Sequence, residues 1–421
     1  MSALRPALLP PSQHGQPDRI FTAARGVRLT TVDGREMLCG TSGLWNVNLG
    51  YGNEAIAEDI ATALRDASYL GAFRFESDRA RAAADALVGL AGPGHYVGVD
   101  FTTSGGSAND LVMKLARQFH TLQGAPQRRL VVGLRGGYHG LTFGSFALTS
   151  DNLDQRMYGV DQSLIRHLPV NDVSAVHKLL ERSGHHVAAI VVEPLLGSGA
   201  IPLTEDYIAA LTDLRDRHGF LLVADEVATG FGRLGELFAS QSWPGLPDLL
   251  ITSKGLTNGT LPAAAVLHSA RVADTFAAKD SVLAHGETQA GTAVTAAAVT
   301  ATIREFDRLD AVSRGREVSR WLDEAITRLS ADHPSVIGAD GTGCFRALRI
   351  QGSDGAAMTL PEVSALVDEI RAAGAIVHPG PAGIQLVPAL TYTNEDFSAL
   401  INAVATGLER FSARPLAEVA S

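Results

Sequence analysis

Lysine is scarce in this chain. Of its 35 Lys+Arg, only Lys114, Lys178, Lys254 and Lys279 are lysines. Cysteine is scarcer still. Cys39 and Cys344 stand far apart without metal-ligand spacing, so neither a disulfide framework nor a metal centre is expected, and a reducing compartment is. Charged residues make up 19%, the net charge is −10, and no arginine-rich run stands out. A surface for nucleic acid or anionic membrane is therefore not expected. No run of 18 apolar residues exists; the nearest, QAGTAVTAAAVTATI (289–303), reads as a tightly packed helix. The first residues carry three prolines before position 12 and no adequate apolar stretch, so no signal peptide is expected. These absences together predict a soluble cytoplasmic protein. With 421 residues at 46% hydrophobic, it can bury a large core in more than one domain.

What is present is an alternation. Short apolar runs occur at 96–101, 130–132, 187–192, 220–224, 249–252 and 263–267, with amphipathic helical patterns such as 55–67, 108–120 and 205–219 between them. Buried β-branched runs separated by helices predict an α/β fold, a mostly parallel central sheet with helices on both faces. In such sheets the functional residues lie just beyond the carboxyl ends of the strands. The residues after each run are thus the informative ones. They are Thr102 to Ser107, then Arg135 to Gly140, then Glu193, then Asp225-Glu226-Val227, then Ser253-Lys254.

Lys254 poses the sharpest question, because it stands two residues, Thr252 and Ser253, beyond Leu249-Leu250-Ile251. Desolvating an ammonium at a strand end costs several kcal/mol unless it is paired or neutral. An exposed lysine is neutral only about once in 10³ at pH 7, whereas a poorly solvated one is available as a nucleophile toward an aldehyde. Lys114, Lys178 and Lys279 lie in a helix, on a polar helix face and in a turn, where no such pressure acts.

The loop Ser104-Gly105-Gly106-Ser107 opens a helix, with Ser107 and Asp110 in capping-box spacing. Glycines there let backbone N–H groups approach a phosphate closely. Most such turns are only turns, and the chain holds neither a P-loop nor a dinucleotide fingerprint. Asp225, directly after FLLVA, is either a structural cap or ion pair, or the partner of a cationic heterocycle nitrogen. Phosphate loop, aromatic (Tyr138), carboxylate and lysine, each after its own strand, are more specific together than any one alone.

From about residue 20 to 410 the chain resembles the class III aminotransferases, pyridoxal 5'-phosphate (PLP) enzymes of fold type I. The motifs are SGLWNVNLGYGN (42–53), FTTSGGSANDLVMKLAR (101–117), GGYHGLTFG (136–144), VVEPLLGSG (191–199), LLVADEVATGFGR (221–233), ITSKGLTNG (251–259) and HGETQAG (285–291). The resemblance implies that Lys254 carries the cofactor as a Schiff base and shuttles a proton. Asp225 would meet the pyridine nitrogen, with Tyr138 and Val227 on the two ring faces. Gly105, Gly106 and Ser107 would hold the phosphate, helped by Thr288 from the second subunit of a homodimer. Glu193 would lie beside the cofactor, Trp45 would line the substrate entrance, and His139 would only pack. The resemblance also implies a large domain, 60–305, and a smaller α+β domain from 1–59 and 306–421.

Three departures stand out. The family usually has Glu where Ser107 stands and Gln where Ala228 stands. Relatives that bind glutamate or 2-oxoglutarate usually have Arg where Gln385 stands, and an amide cannot replace that charge. Arg74 or Arg346 would have to substitute, or the amino donor and carbonyl acceptor would lack that carboxylate. The wording of 40–53 and 103–111 is similar to aminotransferases of daptide-type peptide natural-product clusters, which implies a peptide C-terminal carbonyl as acceptor. The competing readings are an aminomutase, decarboxylase or lyase on the same fold, and a non-catalytic PLP-binding regulator.

Overall fold

Seven strands build the central sheet of the computed structural model, which describes residues 3–151, 153–352 and 355–414. In chain order they are β1 (Tyr96–Thr102), β2 (Leu130–Leu134), β3 (Ile165–Leu168), β4 (Val187–Val192), β5 (Leu221–Asp225), β6 (Leu249–Thr252) and β7 (Ala264–Ser269). Their spatial order is β1-β7-β6-β5-β4-β2-β3. The pairs from β6 to β3 are parallel, while β7 runs antiparallel to both β6 and β1. The sheet is therefore mostly parallel, with one strand reversed.

Every residue of β4, β5 and β6 is buried, which is why these strands read as unbroken apolar runs rather than alternating ones. Leu221 and Val223 pack with helix Gly105–Leu122 on one face. Leu222 and Ala224 pack with helices Val173–Ser183 and Glu205–His218 on the other. The latter helix is capped by Thr204 and ends at Gly219 with φ 75°, the left-handed turn that glycine allows without strain. Strand β3 has no apolar run in the sequence: it is an edge strand with only Ile165 and Leu168 buried.

The rest of the chain builds smaller sheets. Phe21–Arg25, Arg28–Thr31 and Glu36–Cys39 form an antiparallel meander, and Ala375–Ile376 adds to it in parallel. Val336–Thr342, Phe345–Ile350, Gly383–Leu386 and His378–Gly380 form an antiparallel sheet in that order. Positions 60 and 305, the expected domain boundaries, fall inside helices Glu54–Asp66 and Ala293–Arg308, which pack against each other. The Ala/Thr-rich stretch is the second of these helices, and small side chains let it sit nearly buried. Among the described residues no helix is long and apolar enough to cross a membrane, and no cluster of His, Cys, Asp and Glu is arranged to hold a metal.

Candidate active site

The carboxyl ends of β1, β2, β4, β5 and β6 open onto one cavity of about 630 Å³, a size suited to a small-molecule ligand. Lys254 lies in its wall. The other three lysines are exposed, so burial separates Lys254 from them as the strand-end argument requires. Burial pulls its ammonium pKa down, and the negative charges of Asp225 and Glu193 pull partly the other way. Its Nζ makes no hydrogen bond within the described protein and stands 5.2 Å from the Trp45 ring centroid. The backbone at Lys254 has φ 43°, a conformation that costs a side-chain-bearing residue about 1–2 kcal/mol. The turn Lys254–Thr257 and the Ser253 hydroxyl, which donates to the Ala263 carbonyl at 2.6 Å, hold it there.

Asp225 ends β5 and is almost fully buried. Its Oδ2 accepts from Asn109 Nδ2 at 2.8 Å and from His139 Nδ1 at 2.7 Å, and its Oδ1 accepts from the Val227 N–H at 3.2 Å. An ionised carboxylate has about four acceptor positions, so one further donor can be met. His139 therefore does more than pack. Burial lowers its pKa, but the bond and charge of Asp225, with Glu193 adding, raise it on balance. Asn109 donates from the first turns of the phosphate-loop helix and ties that helix to β5. Neither residue was expected at the site. The signal for Asn109 was its place four residues after Gly105, one turn along the same helix face.

Glu193 follows β4. Its Oε1 accepts from the Tyr138 N–H at 2.9 Å and its Oε2 from the Gly197 N–H at 3.1 Å. Burial pushes its carboxyl up to about 7; Asp225 adds to this, while His139 and the two N–H groups oppose it. The third carboxylate of the sequence cluster, Glu226, does not join the cavity. It is fully buried and accepts from Thr229 Oγ1 and from the N–H groups of Ala239 and Ser240, fixing the loop after β5.

At the helix opening, the cap is Ser104, whose Oγ accepts from the Ser107 N–H at 3.2 Å; Ser107 was expected to cap and does not. No acceptor among the described residues meets the N–H of Gly105 or Gly106. A side chain at Gly105 would place its Cβ 3.0 Å from Val227, and at Gly106 3.3 Å from the Ser145 hydroxyl. Both positions leave little room for a side chain. Ser107 turns its hydroxyl away from the cavity, to Glu287 and His285.

Tyr138, Val227, Ala228 and Trp45 line the cavity with the residues above. The other sequence candidates do not. Thr288 is exposed on the loop 285–291 and touches its own chain through its carbonyl, which accepts from Tyr69 Oη at 2.9 Å. Arg74 is exposed on a neighbouring loop. Gln385 is buried, donating from Nε2 to the Gly197 carbonyl at 2.7 Å. Register explains Arg346. Residue 385 pairs with Ala347, whereas Arg346 pairs with Leu386, so Arg346 and Gln385 point to opposite faces of their sheet. Arg346 donates to Asp323 Oδ1 at 2.6 Å and to the Gly341 carbonyl, on the helix side. It cannot take the place of an arginine at 385.

Comparison with known proteins supplies the family. The class-III aminotransferase family model matches residues 11–408, and the chain belongs to that family. It is 30% identical to the acetylornithine aminotransferase of Mycolicibacterium smegmatis over 94% of this chain and 95% of that one. It is 29% identical to the beta-alanine–pyruvate aminotransferase of Pseudomonas aeruginosa over 93% and 92%. The fold superimposes on a PLP-bound amine transaminase from an uncultivated Pseudomonas species with TM-score 0.91 at 27% identity, covering 97% and 99% of the two chains. The protein is a class III transaminase, and its cofactor is PLP. The residues present fit that group. Two free N–H groups suit a phosphate, Asp225 has room for one donor, and a half-buried lysine with a lowered pKa faces the same cavity.

Proposed function

We propose that this transaminase exchanges amino groups on substrates that present no carboxylate to an arginine of the same chain. The observation that carries the reading is the charge inventory of the cavity wall: its acidic and basic members are Glu193, Asp225, His139 and Lys254, with no arginine. The usual arginine is replaced by Gln385, and Arg346 is committed to Asp323. Simple amines as donors, and aldehydes or a peptide C-terminal carbonyl of the daptide kind as acceptors, need no such cation. Arg74, on an exposed loop, stays available to a second subunit, and the active enzyme in this proposal is a homodimer. The division of the chain into 60–305 and the joined ends 1–59 and 306–421 remains part of the same proposal.

The roles follow from placement. PLP, when bound, supplies the electron sink for amino-group exchange. Gly105 and Gly106 hold its phosphate through their N–H groups, Asp225 accepts from its ring nitrogen, and Tyr138 and Val227 flank the ring. Asn109 and His139 keep the Asp225 carboxylate oriented. Burial lowers the Lys254 ammonium pKa, and Nζ would be the attachment point for the cofactor and the group that takes and returns the proton of the substrate carbon. Glu193 holds the Tyr138 backbone and, through Gly197, the segment that Gln385 also grips. Trp45 closes the entrance beside Lys254.

The test is a single-turnover comparison of glutamate, alanine and a carboxylate-free amine, followed by loss of the cofactor's visible absorbance. The amine is expected to convert fastest and glutamate slowest. Glutamate converting fastest overturns the carboxylate-free reading and leaves the transaminase itself untouched.

A further inference from the structure

Glu287 belongs to none of the roles above, yet it is among the most firmly held acidic side chains near the cavity. Its Oε1 accepts from the Thr103 N–H at 3.2 Å and from the Ser107 hydroxyl, and its Oε2 accepts from the Thr103 hydroxyl. Those three donors come from the end of β1 and the first turn of helix Gly105–Leu122, whose opening glycines form the phosphate cradle. A carboxylate at a helix N-terminus gains both charge-assisted hydrogen bonds and the favourable end of the helix dipole.

The contact is not isolated. Lys114 Nζ donates to the Ala284 carbonyl at 3.2 Å, and Gln118 Nε2 donates to Ser281 Oγ and the Val282 carbonyl, both at 2.9 Å. Residues 107, 114 and 118 lie seven and four apart and share one helix face. That face therefore grips the segment 281–287 along three turns. From the other side Tyr69 Oη holds the Thr288 carbonyl, and the Ala293 N–H donates to the Leu70 carbonyl at 3.1 Å. Thr288 is left exposed, its hydroxyl without a partner among the described residues, one position beyond the latched carboxylate.

We propose that Glu287 is a positioning residue: by latching its loop to the first turn of the chain's own phosphate-binding helix, it sets Thr288 for the phosphate bound in the neighbouring subunit. This rests on the homodimeric reading of the function, in which Thr288 reaches across. The phosphate helix of one subunit and the phosphate ligand it lends to the other then move as one piece. Glu287 touches no cofactor itself.

A double-mutant cycle on the full-length protein, read as the PLP dissociation constant by absorbance titration, tests this. T288A should raise the constant roughly tenfold, the scale of one hydrogen bond to a charged group. E287A should raise it about as much, and E287A/T288A no more than either alone, because both changes remove the same contact. E287Q, which keeps an oxygen for the Thr103 N–H, should fall between wild type and E287A. All variants should sediment like the wild type and still fix cofactor on Lys254 at saturating PLP. An additive double variant, near a hundredfold, overturns the positioning role, as does an E287A protein that binds like wild type or dissociates into monomers. If T288A alone leaves the constant unchanged, the cross-subunit phosphate contact itself is wrong, and the inference falls with it for that separate reason.

Discussion

The cavity wall on the large sheet and the antiparallel sheet beyond Trp45, whose residues do not line the cavity, use charge in opposite ways. At the edge of the large sheet, Asp225 and Glu193 are buried and Lys254 half-buried, and each keeps some capacity open toward the cavity. On the antiparallel sheet opposite, Arg346 spends its guanidinium on Asp323 and the Gly341 carbonyl, Gln385 spends its amide on Gly197, and burial pushes the His378 ring down to about 4, holding it neutral. Trp45 lies between the two, 4.8 Å from Phe345 and 5.1 Å from His378 between ring centroids. The first wall is built for reaction chemistry. On the second, the polar groups are already paired or neutral and turned into the protein.

The comparison breaks most severely at Lys254. Lys254→Ala should bind PLP only non-covalently and lose turnover by about 10³-fold or more, the scale of a lost general base. Borohydride reduction of the wild type should fix the cofactor's mass on Lys254, and a peptide map placing it on Lys114, Lys178 or Lys279 would refute the strand-end argument. Next in size is Asp225→Ala, which removes the acceptor shared by Asn109 and His139. We expect the PLP dissociation constant to rise roughly ten- to hundredfold, the scale of a lost charged hydrogen bond.

Glu193 sharpens the comparison through pH. Its carboxyl stands near 7 in the fold against 4.5 when unperturbed, so between these values the folded protein binds more protons than the unfolded chain. Stability from this group is then fully present below about pH 4.5 and is lost as pH rises through about 7. Glu193→Gln, which cannot ionise, should gain stability relative to wild type as pH goes from 5 to 8, by up to about 3 kcal/mol. Chemical denaturation at both pH values measures it; a difference that stays flat or shrinks with pH contradicts the assignment. The smallest effect belongs to the antiparallel sheet. Arg346→Ala should change single-turnover rates with glutamate by less than about twofold, while lowering stability through the partner it strips from Asp323. A collapse of the glutamate rate would mean that Arg346 does reach substrate.

The first wall was largely legible in the sequence because each of its residues closely follows a buried apolar run, and strand ends are marked locally. The helices 54–66 and 205–218 and the left-handed stop at Gly219 were marked in the same way. Glu226 shows the limit. It shares a strand end with Asp225 but faces the other way, and adjacency in sequence does not say which carboxylate enters the cavity. Arg346 was unreadable for a related reason. In Phe345–Ile350 only Arg349 is exposed, so the usual alternation that separates one face from the other is absent. Asn109 and His139 depend on a helix and a loop converging on β5, and Glu287 on a loop crossing 180 residues of chain to Ser107. Contacts of that range leave no periodic trace. The reversed direction of β7 was equally hidden, since a buried run looks the same read either way.

The parallel pairing of Leu38 with Ala375 has a consequence for how the molecule is made. Synthesis proceeds from the amino end, so the meander 21–39 emerges without the neighbour that completes its sheet. At about 5–20 residues per second, the wait for that neighbour is on the order of 20–70 s. Throughout it, the outer hydrogen-bonding groups of Glu36–Cys39 are open to any other extended chain, a second nascent copy included. The vulnerable period of this enzyme therefore lasts at least until residues 375 and 376 have been made.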